Sequence, residues 1–269
     1  MPGFDLATWA KKGAAVAALI VGAALPFAAQ AETPSVPCKT PADLVRLANP
    51  LPHVAHKLIT REPIVIVAIG SSSTAGAGAS SPAANYPSRL EAELKAHFPN
   101  RSITVLNRGV NGEEVADMLK RFDTGVIAAK PDLVLWQVGT NSVIRDHMSA
   151  DHGAALRSGL SRLRAAGADV VLIDPQFAPK VIIKPEAERM VQLIAATAKV
   201  EDVDLFRRFD IMKRWHKDDN MAFETFLSAD GLHLNDWSYA CMAKGLGIAI
   251  AEAAQRPIMS ATATSHLVP

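Results

Sequence analysis

Ile64-Val65-Ile66-Val67-Ala68-Ile69, stopped abruptly by Gly70-Ser71-Ser72-Ser73-Thr74-Ala75-Gly76-Ala77-Gly78, is the stretch whose reading decides the fold. A run of consecutive apolar residues rich in Val and Ile predicts a strand buried on both faces, as in a parallel sheet. The glycines and small hydroxyl residues behind it are too polar and too flexible to be core. In open α/β sheets, ligands bind at the loops that leave the C-terminal ends of the strands. This loop is therefore the first candidate site.

Outward from it, strand and helix patterns alternate. Apolar runs recur at residues 103–106, 133–138 and 170–173, and a weaker one at 203–206. Amphipathic segments lie between them at residues 86–98, 113–129, 154–166 and 186–199, and a last helix is expected from Asn235 to about Ala254. This alternation predicts a three-layer α/β/α sandwich with a mostly parallel sheet of five strands. There is no internal repeat and no interdomain linker. Residues 32–62 begin Pro-rich and then carry a short helix candidate, Ala42 to Ala48, with Thr40 placed as its cap and Pro41 at its first position. They read as an extension packed on a domain spanning residues 63–254. The tail, residues 255–269, has no periodicity.

The first 31 residues read as a secretory signal peptide. Lys11 and Lys12 precede an apolar run from Gly13 to Ala28, and Ala29-Gln30-Ala31 offers small residues before a cut at Glu32. The apolar run is short for a membrane span, so no stable membrane insertion is expected after cleavage, and the chain is expected to be periplasmic or secreted. Taking Lys11, Lys12 and Asp5 from 28 basic and 27 acidic residues leaves 26 of each. That balance carries neither a nucleic-acid footprint nor a polybasic membrane patch. Cys38 and Cys241 are the cysteines of the chain, and in an oxidising compartment they would pair. The alternative is two free thiols, with Cys241 buried in a helix.

Each strand end carries a small polar cluster. Gly70-x-Ser72-x-x-x-Gly76 follows the first strand, Asn107-Arg108-Gly109-Val110-Asn111-Gly112 the second, and Gly139-Thr140-Asn141-Ser142 the third; Asp230-Gly231-Leu232-His233 stands before the last helix. Acyl transfer by a serine needs a nucleophile, a base, a group that orients the base, and donors for the oxyanion. Ser72 would attack, His233 would take its proton, and Asp230 would hold the imidazole tautomer. The donors would be the backbone N–H of Ser72, the backbone N–H of Gly112 and the side-chain amide of Asn141. No metal or cofactor is called for.

These clusters, in this order, resemble the blocks of the SGNH hydrolase superfamily, the GDSL esterase/lipase family. Its Gly-Asp-Ser-x-x-x-Gly block matches Gly70 to Gly76, and only Ser72 keeps the spacing to both glycines. Its second block matches Asn107 to Gly112, its Gly-x-Asn-Asp block matches Gly139 to Ser142, and its Asp-x-x-His block is met in full by Asp230 and His233. Ser71 and Ser142 stand where the family has aspartates. The resemblance covers about residues 64–254. It implies an esterase that works through an acyl-serine intermediate, with short acyl groups on a carbohydrate as the expected substrate and a polysaccharide or small-molecule ester as its partner. The same residues would serve an exported O-acetyltransferase. A non-catalytic carbohydrate-binding protein would have no need of the full Ser72, Asp230, His233 set.

Other readings are weaker. Gly76-Ala77-Gly78 lacks the Lys-Ser/Thr of a phosphate-binding P-loop. His53 with His56, and His147 with His152, lack carboxylate or thiol companions at ligand spacing and are expected on the solvated surface. Trp136 and Trp237 are expected to be packing residues. Gln176 and Phe177, in the segment after the fourth strand, are expected to shape a substrate pocket, against the alternative of an ordinary turn. The stretch Ser80 to Asn85 is a candidate rim loop.

Overall fold

The computed structural model describes residues 37–148 and 151–257. The expected signal segment and its cleavage point lie outside these residues, as does most of the expected tail. Five strands, β1 (Ile64–Gly70), β2 (Ile103–Gly109), β3 (Leu133–Gln137), β4 (Asp169–Ile173) and β5 (Asp204–Phe206), form one sheet in the order β2-β1-β3-β4-β5. Every neighbouring pair is parallel. Val67, Ala68, Ile69, the run Leu133 to Trp136 and the run Val171 to Ile173 are fully buried, as expected of strands covered on both faces.

Six longer helices flank the sheet: α1 (Pro52–Thr60), α2 (Tyr86–His97), α3 (His152–Ala165), α4 (Ala187–Val200), α5 (Arg208–Lys217) and α6 (Asp236–Gln255). α2 packs against α6, and α3 against α4. The crossover from β1 to β2 runs one way along the sheet and those from β3 to β4 and β4 to β5 the other. Right-handed crossovers then place α2 and α3 on opposite faces. The reversal falls between β1 and β3, so the loops after those strands open a crevice at the C-terminal edge. α6 starts where it does because Asn235 accepts from the Ser238 N–H at 3.1 Å while Ser238 Oγ accepts from the Asn235 N–H at 3.1 Å, a reciprocal cap.

The segment expected as one helix over residues 113–129 is instead broken into Val115–Lys120, Phe122–Gly125 and a 3₁₀ turn at Ile127–Ala129. Thr124-Gly125-Val126-Ile127 sets β-branched residues around a glycine, a poor helical run. The expected helix at Ala42 to Ala48 ends at Val45, with Pro41 rather than Thr40 at its cap. Its continuation is taken by a competing acceptor: the N–H groups of Ala48 and Asn49 both donate to Asp204 Oδ1, at 2.6 and 3.0 Å. Val54 N–H likewise donates to Asp169 Oδ2 at 3.0 Å. Carboxylates at the starts of β4 and β5 thus fasten the extension under the sheet, and burial raises the Asp169 carboxyl to about 6 against the pull of the Val54 and His53 N–H groups.

Cys38 and Cys241 form a disulfide, with Cα atoms 5.4 Å apart and a sequence separation of 203. Closing a loop of that length is worth ~5 kcal/mol in the chain-entropy model. The variant Cys38→Ala is therefore expected to unfold about 10 °C lower than the wild type in a thermal melt. An unchanged melting temperature would contradict this account of the bond.

Candidate active site

The loop after β1 folds at once into a single helical turn, Ser72–Ala75, closed by Gly76 at φ +105°. Ser72 heads this turn, so no carbonyl within it takes the Ser72 N–H. The turn sits tightly on the sheet edge. Gly70 is required there, because a Cβ would stand 2.3 Å from Thr74 Oγ1 and 2.6 Å from Gln137 Oε1.

The three adjacent serines face three different environments. Ser71 is buried, and both its N–H and its hydroxyl donate to Gln137 Oε1, at 2.8 and 3.1 Å. A carboxylate at this position would face that same acceptor oxygen, which accounts for serine here. Ser73 Oγ is buried without a hydrogen-bond partner among the described residues. Ser72 is half-buried, and its Oγ lies 2.8 Å from His233 Nε2.

His233 Nδ1 lies 2.5 Å from Asp230 Oδ2. Asp230 Oδ1 accepts from Ser228 Oγ at 2.8 Å and from the N–H groups of Leu232 and His233 at 2.9 Å each. Burial acts to raise the Asp230 carboxyl, but the His233 ring, the two backbone N–H groups and the Ser228 hydroxyl outweigh it and hold the group well below the usual carboxylate range. Asp230 is thus a fixed anion that orients the imidazole and leaves Nε2 facing Ser72. The Ser72, His233 and Asp230 side chains are brought together in one hydrogen-bonded chain.

The β2 loop is fitted against the nucleophile turn. Asn107 Nδ2 donates to the Thr74 carbonyl at 2.8 Å, Asn107 Oδ1 accepts from the Gly109 N–H at 2.9 Å, and the Val110 N–H donates to the Gly70 carbonyl at 3.0 Å. A Cβ on Gly109 would stand 2.1 Å from the backbone N of Ala75. Backbone cannot yield as a side-chain tip does, so Gly109→Ala is expected to lower stability by about 2 kcal/mol or more in urea unfolding and to impair turnover with it. Wild-type stability in that variant would show that the loop is looser than described.

Gly112, at φ +80°, ends this loop. Asn141 Nδ2 donates to the Glu113 carbonyl at 2.8 Å. That bond uses one of the two amide hydrogens and leaves the other for a ligand. Asn141 is thus tied to Glu113, the residue that follows Gly112 in the chain.

Gln176 and Phe177 both turn into the interior. Gln176 is fully buried; its Oε1 accepts from Thr140 Oγ1 at 2.9 Å and its Nε2 donates to the Leu232 carbonyl at 3.3 Å. Phe177 is 5% exposed, with its ring 5.2 Å from that of Phe209 and 6.0 Å from that of Phe223. Gln176 has no exposed surface, and Phe177 edges a small cleft beside Ile182 and Lys184. Gln176 braces the His233 loop against the β3 loop from behind, and Phe177 belongs to an aromatic cluster. The segment turns inward after β4 because these side chains find partners in the interior.

His147 keeps to the solvated surface as expected, and His152 does not. His147 is exposed, but its Nδ1 lies 3.0 Å from Glu114 Oε1. His152, at the start of α3, is buried and so does not belong to the solvated surface. No group of metal-binding residues is present among the described residues. Trp136 is fully buried, and Trp237 is half-buried with its ring 5.0 Å from that of Trp215. Within the candidate rim, Asn85 caps α2 by accepting from the Ser88 N–H, and Ser80 is bonded to Asp236.

Gln137, Tyr86 and Tyr239 support the site without standing out in the sequence. Gln137 takes the Ser71 N–H; Tyr86 OH lies 3.2 Å from Thr74 Oγ1; Tyr239 OH donates to the Ala77 carbonyl at 2.7 Å. Burial pushes the Tyr86 phenol up to about 12, against the pull of the Thr74 hydroxyl. The available sequence signal was Gln137, a lone amide ending an apolar strand.

The non-GDSL lipase-like family model matches residues 37–256. The chain belongs to that family, a group of SGNH-type hydrolases. An acetylxylan esterase of Geobacillus stearothermophilus is 32% identical over 94 residues, which span 31% of this chain and 43% of that enzyme. Among solved structures, a variant of Axe2, an acetyl-xylooligosaccharide esterase from Geobacillus, superposes with a TM-score of 0.60 at 20% identity, covering 70% of this chain and 94% of that one. A two-domain esterase, CEX, active on acetylated mannans, gives 0.66 at 16% identity, covering 84% of this chain and 60% of that one. At these identities the structural likeness establishes the fold.

Proposed function

We propose that this protein is an exported serine esterase that removes O-acetyl groups from a carbohydrate through an acyl-serine intermediate. The observation that carries the reading is the 2.8 Å approach of Ser72 Oγ to His233 Nε2, with Asp230 fixed on the other ring nitrogen. His233 Nε2 takes the Ser72 hydroxyl proton as Oγ bonds to the ester carbonyl carbon. The resulting oxyanion is met by the N–H groups of Ser72 and Gly112 and by the amide of Asn141. The imidazolium then gives its proton to the leaving sugar oxygen as the C–O bond breaks, which leaves acetyl on Ser72. Water repeats the cycle: His233 takes a water proton, the water oxygen bonds to the acyl carbon, and the proton returns to Ser72 Oγ as acetate departs.

The acetyl-carbohydrate substrate is supported by what the relatives act on: an acetylxylan esterase, an acetyl-xylooligosaccharide esterase and an esterase active on acetylated mannans. It is also consistent with a triad near the surface, with 41% of the Asp230 side chain exposed. Export is supported by Lys11 and Lys12 ahead of the apolar run and by the disulfide, which persists in oxidising compartments. No helix among the described residues is long and apolar enough to cross a membrane.

The test is acetate release from acetylated xylan and mannan oligosaccharides, beside p-nitrophenyl acetate, butyrate and octanoate. Acetate release, with the acetyl ester turned over fastest, supports the proposal. A preference for octanoate removes the short-acyl assignment. Transfer of acetyl to an added sugar, in place of acetate release, would favour an O-acetyltransferase.

A further inference from the structure

Two ion pairs flank the loop that presents Gly112, and one of them reaches across to the loop after β3. Glu114, with 16% of its side chain exposed, collects three donors: Ser142 Oγ on Oε2 at 2.9 Å, and Arg145 Nη1 and His147 Nδ1 on Oε1 at 2.9 and 3.0 Å. Arg145 Nη1 also donates to the Gly112 carbonyl at 2.8 Å. Its second terminal nitrogen lies against the same residue, 3.1 Å from where a Cβ on Gly112 would stand. On the other side, Arg121 pairs with Glu113, whose carbonyl receives Asn141 Nδ2.

Glycine is the residue least able to hold its own backbone conformation, because positive and negative φ are about equally open to it. Gly112 sits at φ +80° with no side chain to anchor it, so its orientation must be imposed from outside. The guanidinium on its carbonyl supplies that constraint, and Glu114 holds the guanidinium in place. Arg145 and Ser142 come from the β3 loop and Glu114 from the β2 loop, so the pair also fixes the separation between Gly112 and Asn141.

We infer that Glu114 and Arg145 form a clamp that positions the oxyanion donors at Gly112 and Asn141, making Arg145 a positioning residue for the reaction. The inference rests on the esterase reading above. A device that only orients the oxyanion donors acts on the transition state, so its loss is read in kcat and not in KM.

The experiment compares Arg145→Ala, Arg145→Lys and Glu114→Gln with the wild type on p-nitrophenyl acetate, with Ser72→Ala as reference. Loss of an oxyanion donor costs about 10²–10³ in kcat, and a misaligned one less, so Arg145→Ala is expected to lose about 10- to 100-fold in kcat with KM within about twofold. Added guanidinium is expected to restore Arg145→Ala several-fold, a response that a merely structural role would not give. Arg145→Lys keeps the charge but carries it on a shorter, unbranched head that does not reproduce the position of Nη1, and is expected to fall in between. Glu114→Gln, which retains volume and the cap of the following turn, is expected to lose kcat with an unchanged melting temperature, and it carries the test if Arg145→Ala does not fold. Wild-type kcat in Arg145→Ala or Glu114→Gln, or a loss confined to KM, while Ser72→Ala is inactive, overturns the clamp alone. Activity persisting in Ser72→Ala overturns the esterase reading and the clamp with it.

Discussion

Ser72→Ala is expected to lower kcat/KM on p-nitrophenyl acetate by ~10⁴-fold or more, since a triad without its nucleophile keeps only what the oxyanion donors and binding supply. Neighbouring serines offer no rescue. Ser71 is committed through both N–H and hydroxyl to Gln137, and Ser73 points into the interior. Bringing either to His233 would require unwinding the turn that Gly70 and Gly109 allow to pack so closely on the sheet. The melting temperature should stay within a few degrees, because Ser72 is half-buried and its hydroxyl is bonded to His233 alone among the described residues. A variant that is inactive and also markedly less stable would mean that the hydroxyl holds the turn together.

Asp230→Asn is the second large effect, with an expected loss of ~10⁴-fold in kcat and a preserved fold. The amide oxygen can still accept from Ser228 Oγ and from the Leu232 and His233 N–H groups, so the loop survives. What fails is the tautomer. An amide N–H aimed at Nδ1 forces the ring proton onto Nε2, the atom that must receive the Ser72 proton. The same substitution has a signature in stability. The Asp230 carboxyl lies below its usual value in the folded protein, so its contribution is present above the unfolded value of 3.8 and is lost as the pH falls through the lower folded value. Wild-type protein is therefore expected to lose stability on acidification in that window through this group, and Asp230→Asn to lose less. Urea unfolding at pH 6 and below pH 3 checks the sign; equal losses in both proteins would contradict it.

The parts of the fold that were legible in the sequence are those where local pattern and burial say the same thing. The three central strands announce themselves as apolar runs because both their faces are covered, and the edge strands β2 and β5, less fully covered, read more weakly. Ser72, Gly112, Asn141, Asp230 and His233 stand out because each follows such a run or precedes a helix with a capped start. The less legible parts depend on partners far along the chain. Ala42 to Ala48 has the composition of a longer helix, and only the distant Asp204 shows why it stops at Val45. Gln176 looks like a polar residue on a site-facing loop, yet Thr140 and Leu232 give its amide an interior address. His147 lacks a carboxylate nearby in sequence and finds one in Glu114, 33 residues away. The broken helix over residues 113–129 is a local matter, and Thr124-Gly125-Val126 was its readable warning.

The central claim is that Ser72 forms a covalent acyl intermediate. Its most direct test is to treat the full chain with a fluorophosphonate, digest it, and locate the adduct by mass spectrometry. The account predicts one phosphonyl group on Ser72, and none when His233 is replaced by alanine at the same exposure. An adduct on Ser71 or Ser73, or undiminished ester turnover by protein that never labels, would contradict it.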